Sequence, residues 1–342
     1  MGSVKLSLNG IYNMVHSVTT PVLKSCSRNI SSINFYKSGR TFKRKGEEVK
    51  IPTPWGHIAA VWWGPRDKQP VLALHGWQDN AYTWRPLMEL LPQDVAVLAI
   101  DFPGHGLSSR YPPGMFYHSP DNIINVRRVV KHFGWNKVSL MGHSMGAIAS
   151  FSYAAFFPDE VNFSIHLDNI KPITTRRKNA VQFAANSIDH LILADERNIL
   201  GSEPPAYEEA ELVERLHKML DNSIDRETCP ILLDRGAIQS GKEPSRYFYS
   251  RDSRLKYPMT MGLSEEDAHE MALRIHSPMM AVKFAQGMLF EPKEMTEKIN
   301  NLIRTNNPLF EEHTIPGSHH SHLNSPELVA PLIIDFLQRY YK

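Results

Sequence analysis

Short apolar runs alternate with amphipathic stretches along most of this chain, and the alternation predicts the order of its elements. Val49–Thr53 and His57–Trp63 read as two strands joined by a turn at Pro54-Trp55-Gly56. Val71–Leu74 is a compact apolar run ending at His75-Gly76, as expected of a strand buried on both faces. A helix over Ala81–Leu91, a strand over Val95–Ile100, a helix over Asn122–Phe133 and a strand over Lys137–Met141 follow. Behind Ser144, the residues Ala147, Ile148, Phe151 and Ala155 share one helical face, and Asn162–Leu167 is the next strand. The alternation then stops. From about Lys171 to His276 there are helix-like segments, such as Glu208–Leu220 and Ser264–Ile275, and no clear strands. It resumes with a strand at Met279–Ala285, a helix near Glu294–Arg304 and a strand near Leu309–Ile315. A last helix carries Val329, Leu332, Ile333, Phe336, Leu337 and Tyr340 on one face.

Strands alternating with helices imply an α/β fold, a mostly parallel sheet with helices on both faces. The expected core is 47–170 together with 277–342. The strand-poor stretch 171–276 is too long for a connection and is expected to form a helical cap over the C-terminal strand ends, where such folds bind ligands.

Composition narrows the classes. A hydrophobic share of 42% over 342 residues supports one large core, and a net charge of +2 argues against nucleic acid as partner. Two distant cysteines, Cys26 and Cys229, form neither a disulfide framework nor a metal pair. No run approaches the roughly 18–20 apolar residues that span a bilayer, so no transmembrane segment is expected. Residues 1–46 are basic, Ser-rich and free of acids, as in a mitochondrial transit peptide, with Arg28-Asn29-Ile30-Ser31 resembling a processing site. The expectation is a mitochondrial protein, or a cytoplasmic one with a basic tail.

The chemistry centres on Gly142-His143-Ser144-Met145-Gly146. A Gly-x-Ser-x-Gly run between a strand and a helix sets its serine on a strained turn and places the next backbone N–H, that of Met145, at the helix N-terminus to stabilise an oxyanion. Such a serine needs a base oriented by an acid, in the chain order Ser, acid, His. The base is expected in Gly317-Ser318-His319-His320-Ser321-His322, with His319 first and His320 second. No carboxylate or cysteine lies beside these histidines with ligand spacing, so no metal and no cofactor is expected. Asp168 and Glu291 are the candidate acids, both at C-terminal strand ends. The second oxyanion donor is expected from Trp77. His75, His105 and His143 are read as structural, and Asp101 as a brace for its loop.

These marks, His75-Gly76-Trp77, Asp101-Phe102-Pro103-Gly104-His105-Gly106, the Ser144 motif and the His319 segment, resemble the α/β-hydrolase family over nearly the whole chain after residue 48. The likeness is strongest to the serine hydrolase-like (kraken-type) proteins, on His75-Gly76-Trp77-Gln78-Asp79-Asn80, Leu167-Asp168-Asn169-Ile170-Lys171-Pro172 and Tyr249-Ser250-Arg251-Asp252-Ser253-Arg254-Leu255-Lys256. Haloalkane dehalogenases also look similar, and some place their acid in a segment like Leu167–Pro172, which favours Asp168 over Glu291. Their nucleophile, like that of epoxide hydrolases, is Asp; a serine here disfavours that chemistry. The departure from the commoner family pattern is the missing Asp after Gly287. The expectation is a serine hydrolase acting on a small acyl substrate, a carboxylic ester or similar bond. Cleavage of a carbon–carbon bond, thioester or amide, or a non-catalytic ligand-binding role on the same scaffold, stay open. Tyr207, Tyr247, Tyr249, Met259 and Met261 hint at an apolar pocket under the cap.

Overall fold

The computed structural model describes residues 42–174, 180–201, 203–258 and 263–342. Most of the basic leader, the Arg28–Ser31 site, Met259 and Met261 lie outside them. The strand β1 (Glu47–Thr53) forms a hairpin with β2 (Gly56–Trp63), and β3 (Val71–Leu74) follows, all four residues buried. The helix expected over 81–91 is instead a 3-10 turn at Ala81–Trp84 and a four-residue helix α1 (Arg85–Met88). Pro86 explains the break, because it has no N–H with which to continue the ladder. Then come β4 (Val97–Ile100), α2 (Ser119–His132), β5 (Val138–His143), α3 (Met145–Phe156) and β6 (Val161–Leu167).

The stretch after β6 holds α4 (Ala180–Ile199), α5 (Glu209–Met219) and α6 (Cys229–Gly236). It also holds a small antiparallel pair, β7 (Ala237–Gln239) and β8 (Tyr247–Tyr249), where no strands were expected. Three residues per strand are too few to write an alternating pattern. The next helix, α7 (Glu265–Leu273), sends Ala268, Met271 and Ala272 into the same cluster as α2, α3 and α8, so it packs with the main body although the sequence groups it with the insert. The chain ends with β9 (Met279–Gln286), α8 (Lys293–Asn306), β10 (Phe310–Ser318), a short α9 (Ser321–Asn324) and α10 (Ala330–Tyr340).

Eight strands form one sheet in the order β1-β2-β4-β3-β5-β6-β9-β10, antiparallel at β1 and β2 and parallel from β4 onward. Period-two alternation divides its side chains between two cores. Leu72, Leu74, Leu98, Ile100 and Ala281 join α2, α3, α7 and α8 on one face. Val71, Ala73, Val97, Ala99 and Val282 join α1 and α10 on the other. Arg44 fixes the entry to β1. Its guanidinium donates to the carbonyls of Met88, Leu91, Pro92 and Val95, tying the segment before β1 to the end of α1 and the turn that follows it. Because β3 lies between β4 and β5, the chain reverses direction across the sheet there, and the crevice at the C-terminal ends of β3 and β5 is where open α/β sheets bind ligands.

Candidate active site

Ser144 sits in that crevice, between β5 and α3, with φ 52° and ψ −114°. A side chain rarely adopts that backbone, so the turn is strained and needs neighbours that hold it. Glycines on both sides make room: a Cβ on Gly142 would clash with the backbone of Gly146, and one on Gly146 with the carbonyl of Leu74. The Ser144 N–H donates to the Leu167 carbonyl at 3.0 Å, fastening the turn to the end of β6. Pairing of Leu74 with Gly142 brings the loop after β3 alongside; a Cβ placed on Gly76 would stand 3.5 Å from Ser144 Cβ. Trp77 follows that glycine, and Met145 opens α3 directly after Ser144.

One residue past β6, Asp168 is buried, again with positive φ (54°). Its Oδ1 accepts from the Phe284 N–H at 2.9 Å and its Oδ2 from the Met288 N–H at 3.2 Å. Its Oδ2 also accepts from His319 Nδ1 at 2.5 Å. A carboxylate with this pairing fixes the tautomer of His319, protonated at Nδ1 and carrying its lone pair on Nε2. His319 lies one residue past β10, and its carbonyl accepts from His143 Nε2 at 2.8 Å, which ties its loop to the residue before Ser144. Phe290 stacks edge-on against the imidazole, centroids 5.7 Å apart. In the loop after β9, where the commoner family Asp is missing, a Cβ on Gly287 would overlap the carboxylate of Asp168.

The rival candidates have other partners. Glu291 forms a buried ion pair with Lys171 and accepts from Thr174 N, Thr174 Oγ1 and Thr296 Oγ1. Lys171 helps hold its carboxyl below the usual range against the opposing effect of burial. His320 points away from Asp168, with Nδ1 2.8 Å from Ser223 Oγ. Burial and then the neighbouring His319 and His322 hold it well below the ordinary histidine value. His322 pairs with Thr83 Oγ1 at 2.8 Å, against the ring of Trp84.

The histidines read as structural have backbone partners. His75 donates from Nδ1 to the Gly76 carbonyl and accepts the Phe102 N–H at Nε2. His105 does the same between the Pro103 carbonyl and the Gln78 N–H. Burial lowers them to about 4 and about 3, so both are neutral braces. Asp101 accepts the N–H groups of Ala81 and Leu107, and also the guanidinium of Arg235 from α6, a partner no spacing announces.

A second cluster was not legible in the sequence. Asp79, His143 and His320 bring ligand-type atoms within 4.8 Å of one another, all buried, the one such group among the described residues. Since His143 Nε2 donates to a carbonyl, its Nδ1 carries the lone pair, and that atom and Asp79 Oδ2 lack a protein partner. Ser223 donates to the Leu220 carbonyl and so accepts from His320 Nδ1, leaving the lone pair of His320 on Nε2. An Asp79 oxygen and one ring nitrogen each of His143 and His320 thus lie close enough together to hold a proton or a small cation. Burial pushes the Asp79 carboxyl up to about 7, which keeps a proton there at lower pH. The sequence places no carboxylate near the histidine run; the fold supplies this one from the loop after β3.

A family model described as alpha/beta hydrolase fold matches residues 69–188. A probable serine hydrolase of Drosophila melanogaster is 36% identical over 293 residues, covering 85% of this chain and 88% of its own. A serine hydrolase-like protein of Mus musculus is 32% identical over 304 residues, covering 85% and 95%. Among solved structures, a hypothetical protein from Pseudomonas aeruginosa PAO1 superposes with a TM-score of 0.72 at 31% identity, covering 86% of this chain and all of that one.

Proposed function

This chain belongs to the serine hydrolase-like proteins of the α/β-hydrolase fold, and on that premise we propose that it hydrolyses carboxylic esters through an acyl-enzyme on Ser144, with His319 as base and Asp168 as the orienting acid. The observation that carries the reading is the Asp168–His319 hydrogen bond of 2.5 Å at the strand ends beside the strained Ser144 turn.

The steps follow from the tautomer. Ser144 Oγ forms a bond to the acyl carbon while its proton passes to His319 Nε2, and Asp168 stabilises the imidazolium. The N–H groups of Trp77 and Met145 receive the negative charge on the carbonyl oxygen. Collapse breaks the bond to the leaving alcohol, which takes the proton from His319. Water then attacks the acyl carbon, gives its proton to His319, and releases the acid as Ser144 regains its hydrogen. No step calls for a cofactor. The insert between β6 and α7 acts as a cap over the crevice.

A fluorophosphonate probe tests the nucleophile, since it reacts with an activated serine. Labelling of the wild type that disappears in Ser144→Ala is expected; equal labelling of both rejects the assignment. A screen across short acyl esters, thioesters and amides identifies the bond cleaved. Tight binding without turnover of any of them would favour a receptor on this scaffold.

A further inference from the structure

Two large apolar side chains reach solvent in the loop beside His319. Leu289 is 71% exposed and Phe290 37%. The Phe290 ring lies 5.7 Å from the imidazole, centroid to centroid, at 70° to it. Single exposed leucines are common on protein surfaces and carry no message by themselves. This pair, however, sits in a loop that is fastened on both sides of it. Before it, the Gly287 N–H donates to the Phe284 carbonyl at 2.9 Å and the Met288 N–H to Asp168 Oδ2 at 3.2 Å. After it, Glu291 accepts from Thr174 N and Thr296 Oγ1 and forms its buried ion pair with Lys171. The exposure of Leu289 and Phe290 thus belongs to an anchored loop and not to a fraying one.

The neighbours of His319 determine what such a surface meets. The imidazole itself is only 4% exposed. Asp168 occupies its Nδ1, and the rings of His143 and His320, both buried, stand 4.7 and 5.0 Å from it. Of the rings packed on it, Phe290 is the one that reaches solvent. In acyl transfer the two oxygens of an ester have different destinations. The carbonyl oxygen goes to the oxyanion donors, and the leaving oxygen must approach the base that protonates it. A side chain packed on the base therefore borders the alcohol part of an ester rather than its acyl chain.

We propose that Phe290 and Leu289 form the leaving-group site of this hydrolase and select esters of apolar alcohols, longer alkyl chains over methyl and ethyl. The proposal rests on the hydrolase reading above and names the alcohol half of its substrate. An alkyl chain lying on these two side chains removes apolar surface of both partners from water. The gain in kcat/KM is about two- to fourfold per methylene, the upper value being that of complete burial.

The test varies the two halves of the ester separately. Ethyl, butyl and hexyl acetates form the alcohol series, and ethyl acetate, butanoate and hexanoate the acyl series. In the wild type, kcat/KM, which reports acylation, should rise about two- to fourfold per methylene along the alcohol series. Leu289→Ser should lower it about 3- to 10-fold more for the hexyl ester than for the ethyl ester, and Phe290→Ala about 10- to 30-fold more. Phe290→Leu should retain most of the rise, and no variant should change the slope of the acyl series. A flat alcohol series, or one that the variants leave unchanged, overturns the proposal while the hydrolase reading stands. Equal loss of every ester in Phe290→Ala also overturns it, because the ring would then only prop the imidazole. Should no ester be turned over, the hydrolase reading falls, and calorimetric titration of Ser144→Ala with hexyl acetate decides the site alone. Binding that weakens when Leu289→Ser is added supports an apolar site here; absent or unchanged binding overturns it.

Discussion

Two carboxylate–imidazole clusters lie side by side at the strand ends, and they differ in what surrounds the carboxylate. Asp168 receives two backbone N–H groups and the Nδ1–H of His319. Asp79 receives the Asn80 N–H on one oxygen, keeps the other unpartnered, and is pushed up to about 7. Burial is similar in both, 9% and 2% exposed. Three donors hold the Asp168 carboxyl in place and one of them is the imidazole of His319, whereas at Asp79 burial outweighs the hydrogen bonds. The same contrast separates His319 from His320, adjacent in sequence and both buried: Nδ1 of the first meets the Asp168 carboxyl and Nδ1 of the second the Ser223 hydroxyl.

The largest expected effect tests that separation. His319→Ala should lower kcat by about four orders of magnitude, whereas His320→Gln, which keeps a polar group near Ser223, should cost less than about tenfold. Ester kinetics on both variants decide it, and a reversed order would exchange the two roles. Next in size, Asp168→Asn should reduce kcat by about three to four orders of magnitude by disfavouring the required tautomer, against less than about tenfold for Glu291→Gln. Should only the second lose activity, the ion pair with Lys171 would have to open during turnover and Glu291 would be the acid.

A smaller effect isolates position from chemistry. Gly287→Ala puts a methyl group where the Asp168 carboxylate stands. Moving the carboxylate aside breaks its bond to His319 and also its bonds to the Phe284 and Met288 N–H groups. Activity should fall at least about 10- to 100-fold in the fraction that stays folded, and the melting temperature should drop by several degrees. Unchanged activity would mean that the Asp168–His319 contact is not what orients the base.

How much of this could be read from the sequence follows from where the information lies. Strands β3, β5, β6 and β9 announce themselves because both faces are buried, and the Ser144 turn because its glycines are demanded by backbone contacts within a few residues. The choice between His319 and His320 depends on which ring the backbone turns toward β6, and no composition records that. Asp168 is supported by a negative sign at a distance, the side chain absent at Gly287, which makes sense only once the two loops are seen to touch. The Asp79 cluster and the Arg235–Asp101 pair join segments far apart in the chain. Arg251 looks in sequence like Arg254, three residues on; only the fold shows that Arg254 has the carboxylates of Asp195 and Asp252 and that Arg251 has none among the described residues.

The last test sharpens the comparison from the side of Asp79. In the unfolded chain its carboxyl ionises near 3.9, and in the folded protein near 7. Between these values the unfolded chain has released a proton that the folded protein keeps. The contribution of Asp79 to stability is therefore fully present below about pH 4 and is lost as pH rises through about 7. Asp79→Asn removes this dependence and keeps the shape. The difference in unfolding free energy between wild type and variant, taken from urea titrations, should fall by about 2–3 kcal/mol from pH 5 to pH 8. Taking a difference cancels the opposite trend of carboxylates such as Glu291, whose ion pairs weaken as pH falls. A flat difference would mean that Asp79 is ionised across the range, and an anion among two imidazole lone pairs requires a bound cation. Repeating the titration with a chelator would then separate the two clusters by their partners, a proton shared with His319 in one and a metal ion in the other.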